Sequence, residues 1–432
     1  MYSSHIKITA LIILNYLFVT CINHENSRSY PQSFSHSENA ENSGFDPARL
    51  ARIDSVINHY VNTGILPNAV TFVARRGNIV HNKAYGYKNM EEGLPLETSS
   101  IFRIASQTKA ITTTALMILY EEGKFLLDDP VSMYIPWFSD PAVMTSFDES
   151  DTTFTSRPAT REITIRHLLN HTSGIHYGIY RTGAGNMIYA KAGIPAVNSM
   201  DPITNEEVVR RISSLPLMFD PGERFLYGMN TDVAGYLVEV LSGKPLDIFF
   251  RERIFEPLGM KDTYFYLPGE KSGRLVTLYT PDDEGPSLHP DQTYSNYPVE
   301  GARMWLSGGA GLSGTIEDYA RFCQMLLNNG TFNGNRILSR KTIELMTINQ
   351  IGDLEYGSLG RRFGLGFDIW GDQTPAHHLG SSGSVRWGGL FYTNYVIDPE
   401  EELILLFYTN VQPWQGPNLQ EKFHNLVYQA IE

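Results

Sequence analysis

Apolar positions Leu50, Ile53, Val56, Ile57 and Tyr60 recur at the three-and-four spacing of an amphipathic helix, and Asp46-Pro47 upstream supplies a cap and a first-turn proline. Two strand-like runs follow at 69–75 and 79–87, with Arg76-Gly77-Asn78 as the turn between them. Residues 106–122 return to helical spacing, with Ile111, Ala115, Ile118 and Leu119 on one face and Gly123 past the end. Between 164 and 242, short helical segments recur among turn clusters such as Asp220-Pro221-Gly222. Strand patterns come back at 384–397 and 403–409, parted by Asp398-Pro399-Glu400-Glu401, and a last helix is expected over 418–431.

Strands at both ends with helices between predict an α+β fold in which the two chain ends meet in one antiparallel sheet flanked by helices. The sheet part is expected over 45–105 and 304–432, with a mostly helical inserted subdomain over 106–303. No internal repeat and no Walker-type phosphate loop is present. With 42% hydrophobic and 19% charged residues the 432-residue chain is globular. Its 47 acidic against 34 basic residues, a net −13, argue against nucleic acid or an anionic lipid surface as partner.

Only Cys21 and Cys323 are present, so a framework of several disulfides is excluded. A weakly basic start (His5, Lys7), the apolar run 8–19 and then Thr20-Cys21 form a signal-peptide pattern too short to span a membrane. Phe18-Val19-Thr20-Cys21 loosely resembles a bacterial lipoprotein box, with ordinary cleavage nearby as the alternative. The expectation is a signal at 1–21, a flexible polar tether at 22–44 and a folded domain from 45 onward. The protein is then exported, as a periplasmic, envelope-anchored or secreted chain. Its membrane contact is limited to a lipid on Cys21, and its oligomeric state is left open.

Ser106-Gln107-Thr108-Lys109 sets a hydroxyl and an amine three residues apart at a helix start, within reach of each other. A serine becomes a nucleophile when a base takes its proton, and a lysine of ordinary pKa about 10.4 can do so once desolvation or a nearby cation lowers it. The same spacing also fits a helix cap beside a solvated lysine, but the apolar continuation Ile111 to Leu119 makes the helix a buried one. His167-x-x-x-His171 has zinc-helix spacing, yet Leu168 stands where a metalloprotease carries its glutamate, so a structural role is expected there and at His377-His378.

In chain order, further segments join this pair: Leu127-Asp128-Asp129-Pro130-Val131, Ile163 to Leu169 running into His171-Thr172-Ser173-Gly174, Pro221-Gly222-Glu223-Arg224-Phe225, Pro257-Leu258-Gly259-Met260 and Gly311-Leu312-Ser313. Together they resemble the serine β-lactamase and penicillin-binding-protein superfamily, and the later Trp387-Gly388-Gly389 is similar to the strand motif of its carboxylesterase-like members. The resemblance implies a β-lactamase-like fold and acyl-enzyme chemistry that needs no cofactor or metal. It also implies roles: Ser106 as nucleophile, Lys109 as base and Tyr227 as proton shuttle. Trp387-Gly388-Gly389 becomes the substrate strand, with the Leu390 and Ser106 N–H groups as oxyanion hole. Ser381-Ser382-Gly383 is a rival for that strand motif.

Two departures shift the expected substrate. Met229 stands where β-lactamase-like members carry an asparagine two residues after the tyrosine, Asn230 comes one place later, and Trp387 replaces a carboxylate-anchoring lysine. Adjacent Arg386 restores that anchor if it points into the pocket. A small-molecule ester is therefore the expected acyl substrate. A β-lactamase, a D-amino-acid peptidase or amidase, a transacylase and a noncatalytic binding protein of the same fold are the alternatives.

Overall fold

The computed structural model describes residues 30–432 except 38, 179–182, 197, 284, 359 and 374–375. The apolar run 8–19 and Cys21 lie outside the described residues. Helix α1 (Arg52–Asn62) follows a short turn of helix capped by Asp46, whose carboxylate accepts the Ala48 and Arg49 N–H groups. Strands β1 (Asn68–Arg75) and β2 (Asn78–Asn89) form a hairpin whose Arg76 and Gly77 both lie at positive φ. The C-terminal third supplies β3 (Val385–Gly389), β4 (Thr393–Asp398) and β5 (Leu403–Tyr408). β5 pairs with β1, so the two ends of the chain close one nine-stranded sheet. Its pairings are antiparallel except for Ser35–His36, which runs parallel beside β2.

Strand alternation divides the core. Leu403, Leu405 and Phe407 face α1 and the last helix, α5 (Leu419–Tyr428), whereas Ile404, Leu406 and Tyr408 face the larger core of the central helices. That core is built around α2 (Thr108–Glu121), α3 (Asn230–Ser242) and α4 (Ile316–Leu327), with α2 buried along nearly its whole length.

Three expectations need correction. The tether expected over 22–44 is part of the body at its described end: the Phe34 ring lies 5.5 Å from Phe72 and 5.3 Å from Phe332, and Asn328 donates to the Pro31 carbonyl at 2.7 Å. The helical part contains a hairpin, Ala142–Asp148 paired with Thr153–Pro158, which its polar, exposed Ser and Thr side chains concealed from an apolar-pattern reading. The run 384–397 is two strands, because Tyr392 at φ 66° turns the chain and donates its N–H to the Gly389 carbonyl.

Candidate active site

Ser106 does not begin an α-helix. It sits in a 3₁₀ turn, Ala105–Gln107, that precedes α2, and buried Ala105 enters it at φ +44°, a left-handed conformation held only by strong local constraint. The constraint is visible. Thr108 Oγ1 donates to the Ala105 carbonyl at 2.6 Å and accepts the Leu312 N–H, while Tyr319 and Tyr408 donate to the Gln107 carbonyl and side chain.

One turn on, the Lys109 side chain is 2% exposed. Its Nζ donates to the Gly309 carbonyl at 2.8 Å and reaches Ser106 Oγ at 3.5 Å. It also lies over the Tyr227 ring, 4.6 Å from the centroid, and the Tyr177 ring at 5.2 Å. Tyr177 and Tyr227 stack at 5.1 Å, and the buried Tyr227 hydroxyl has no hydrogen-bond partner among the described residues.

The far wall is β3, which packs against the Ser106 turn. A Cβ on Gly389 would lie 2.3 Å from the Ile104 carbonyl oxygen, so only glycine lets the strand end approach the turn this closely. Leu390 follows at the lip, partly exposed. Trp387 turns its ring toward Tyr227 at 5.4 Å and Phe363 at 5.6 Å, and Phe225, Tyr356 and His171 extend the same aromatic wall. Ser381-Ser382-Gly383 lies ahead of the strand, where Ser381 N–H donates to Asp398 and Ser382 to the Gly371 carbonyl.

Met229 is a buried core residue, and Asn230 is committed elsewhere: it accepts from Ser173 Oγ and donates to His171 Nδ1 at 3.0 Å. His171 therefore stays neutral, its pKa held well below the ordinary value by burial and then by the Lys109 charge. It lies beyond the end of helix Ile165–Leu169, at φ +58°, and His167 Nδ1 accepts the Thr164 N–H. The two histidines are thus not on one helical face. Arg386 also leaves the site: its register partner Val396 faces α5, and its Nε lies 3.4 Å from Asp368.

Sequence reasoning missed Asp232. This buried carboxylate in the first turn of α3 accepts from Ser307 Oγ at 2.6 Å and from the Gly309 N–H at 3.1 Å, directly behind the carbonyl that holds Lys109. Burial pushes its pKa up and the Lys109 charge pulls it back. Its signal was an acidic residue followed by Val233 and Ala234 at the start of an apolar helix.

The family model described as Beta-lactamase matches residues 53–429. Esterase EstB of Burkholderia gladioli is 30% identical over 388 residues, covering 84% of this chain and 91% of EstB. Protein Rv1367c of Mycobacterium tuberculosis is 32% identical over 362 residues, covering 81% and 87%. Among solved structures, EstCE1, a hydrolase with promiscuous acyltransferase activity, superposes with a TM-score of 0.77 at 27% identity, covering 88% of this chain and 99% of that one.

Proposed function

The chain belongs to the beta-lactamase family, and we propose that it is a serine hydrolase of carboxylesterase type whose acyl-enzyme forms on Ser106. Neutral Lys109 accepts the Ser106 proton as Oγ bonds to the ester carbonyl carbon. The N–H groups of Ser106 and Leu390 take the developing oxyanion. Tyr227 relays the proton to the alkoxide as the C–O bond breaks, and the alcohol leaves. Water then adds to the acyl carbon, giving up a proton through the same pair; the Oγ–C bond breaks, Oγ regains a proton and the carboxylic acid departs.

The observation that carries this reading is the buried Lys109 Nζ placed between Ser106 Oγ and the Gly309 carbonyl, over the Tyr227 ring. Preference for an ester over a β-lactam rests on three side chains. Trp387 supplies apolar surface where an anchoring cation would stand, Met229 is buried, and Asn230 is taken up by His171 and Ser173. EstB, named an esterase, supports the same assignment. The test is kcat/KM on a short-chain p-nitrophenyl ester, a chromogenic cephalosporin and a D-alanyl-D-alanine peptide. The ester is expected to lead the cephalosporin by roughly 10-fold or more, since each lost polar contact is worth about 1–3 kcal/mol. Equal efficiency on both would overturn the esterase assignment.

Export through the N-terminal apolar run, with Cys21 as the first residue of the mature chain, belongs to the same reading and rests on the order basic start, apolar run, cysteine. Mass analysis of the mature N-terminal peptide from native membranes tests it. A peptide beginning at Cys21, lipidated or not, is expected, and one beginning well upstream would contradict export.

A further inference from the structure

Arg386, next to Trp387 on β3, points to the opposite face of the sheet, into a cavity of about 230 Å³ between β3 and α5. Its surroundings leave its charge largely unanswered. Asp368, almost fully buried, is gripped by Arg361 at both oxygens, Nε to Oδ1 at 3.0 Å and Nη2 to Oδ2. Arg386 reaches the same carboxylate only through Nε at 3.4 Å, and that Nε is buried without a hydrogen bond.

Three other polar groups of the cavity are occupied. His424 lies beside Asn394 Oδ1, its Nε2 at 2.9 Å, and is neutral, its pKa pushed down to about 3 by burial and then by Arg386. The Tyr428 hydroxyl donates to Asp398 at 2.8 Å. Glu421 stands at the exposed rim, 3.2 Å from His378 Nδ1 and accepting from Asn418. Trp370 flanks the guanidinium with its ring, 5.6 Å from centroid to Cζ, and Leu379 adds further apolar lining.

We propose that this cavity is a binding site for a small monocarboxylate, held by the Arg386 guanidinium with its apolar part against Trp370. A guanidinium nitrogen buried without a hydrogen bond is costly, and the planar fork of the half-buried Arg386 side chain matches the two oxygens of a carboxylate. Inside the cavity Arg361 and Arg386 face the single buried carboxylate of Asp368, Glu421 standing at the exposed rim against His378, so one negative charge is accommodated at Arg386. A dianion would add a second charge facing Asp368 and Glu421, so sulfate and phosphate fit poorly. The site is independent of the Ser106 chemistry, from which it is separated by the sheet.

The test is calorimetric titration of sodium benzoate into the full-length Ser106→Ala protein, which cannot turn over. Saturable one-to-one binding is expected, weakened at least 10-fold by Arg386→Met and less by Arg386→Lys, and not displaced by sulfate at matched ionic strength. Arg386→Lys keeps the buried cation and carries the test if Arg386→Met fails to fold. No saturable binding, affinity unchanged in the folded Arg386 variants, or displacement by sulfate as strong as by benzoate itself overturns the proposal. So does loss of binding in Trp387→Ala with binding kept in Arg386→Met, which would place benzoate in the Ser106 pocket.

Discussion

Asp232 and Lys109 hold the two backbone polar groups of one glycine: the Asp232 carboxylate accepts the Gly309 N–H at 3.1 Å, and Lys109 Nζ donates to the Gly309 carbonyl at 2.8 Å. A Cβ on Gly309 would lie 2.5 Å from Asp232 Oδ2, so glycine is what lets the carboxylate sit this close. The arrangement fixes the lysine from behind and sets the Asp232 carboxyl group against the residue that holds it. Asp232→Asn, which keeps the acceptor and removes the charge, is expected to lower kcat on an ester at least 10-fold. Asp232→Ala should in addition cost about 1–3 kcal/mol of stability, because Ser307 and the Gly309 N–H lose a buried partner. Ester kinetics and urea denaturation of both variants read the two effects apart. Wild-type kcat in Asp232→Asn would remove Asp232 from the machinery.

Neighbouring glycines of β3 should respond differently to alanine. At Gly389 the added Cβ meets the Ile104 carbonyl and Thr393 Oγ1, each at 2.3 Å, whereas at Gly388 the nearest atom is the Thr393 carbonyl at 3.1 Å. Gly389→Ala must push the strand away from the Ser106 turn, at about 1–3 kcal/mol of overpacking. Its ester kcat should fall by about 10²-fold or more, a displaced oxyanion donor being worth 10²–10³. Gly388→Ala should stay within about 10-fold of wild type. Equal losses in the two variants would show that close approach at Gly389 is not what the site requires.

Trp387→Ala should act through binding. Its ring contacts Tyr227 and Phe363 and forms the apolar side of the pocket. Aromatic contacts are worth about 0.5–1.5 kcal/mol beyond area burial, so KM for an aryl ester is expected to rise roughly 2- to 13-fold with a smaller change in kcat. An unchanged KM would move the acyl or alkyl group away from this wall.

Glu239 on α3 gives stability a pH dependence. Burial raises its carboxyl from the ordinary 4.5 to about 7, against the Leu246 N–H that it accepts. Between those two values the unfolded chain has released the proton while the folded chain keeps it. This contribution therefore weakens stability as pH rises from about 4.5 to about 7 and is constant above. Glu239→Gln should raise Tm relative to wild type at pH 8 and leave it nearly unchanged at pH 4. An equal difference at both pH values would contradict the assignment.

The end-to-end sheet was legible because Leu403, Leu405 and Phe407 alternate with Ile404, Leu406 and Tyr408 in a run whose every position is apolar, the mark of a strand covered on both faces. The turn at Tyr392 was not, since Leu390, Phe391 and Tyr392 carry no glycine or proline to announce it. Ser106 and Lys109 were singled out from their spacing together with the apolar helix that continues it, the spacing alone fitting a helix cap equally well. Asp232, by contrast, lies 123 residues from Lys109 and 77 from Gly309, and only the packing of α3 against α2 brings the three together. Which face Arg386 takes depends on the register of β3 against β4, which places it opposite Val396.

Ser106 as the acylated residue is the central claim, and covalent labelling tests it most directly. The mature protein is treated with a fluorophosphonate, its intact mass is measured, and the modified peptide is mapped. One adduct on Ser106 is expected, forming in step with loss of ester turnover. Ser106→Ala should take up no label and lose on the order of 10³-fold or more in kcat while keeping the wild-type fold by circular dichroism. Label on another serine, or ester turnover by Ser106→Ala near the wild-type rate, would contradict it.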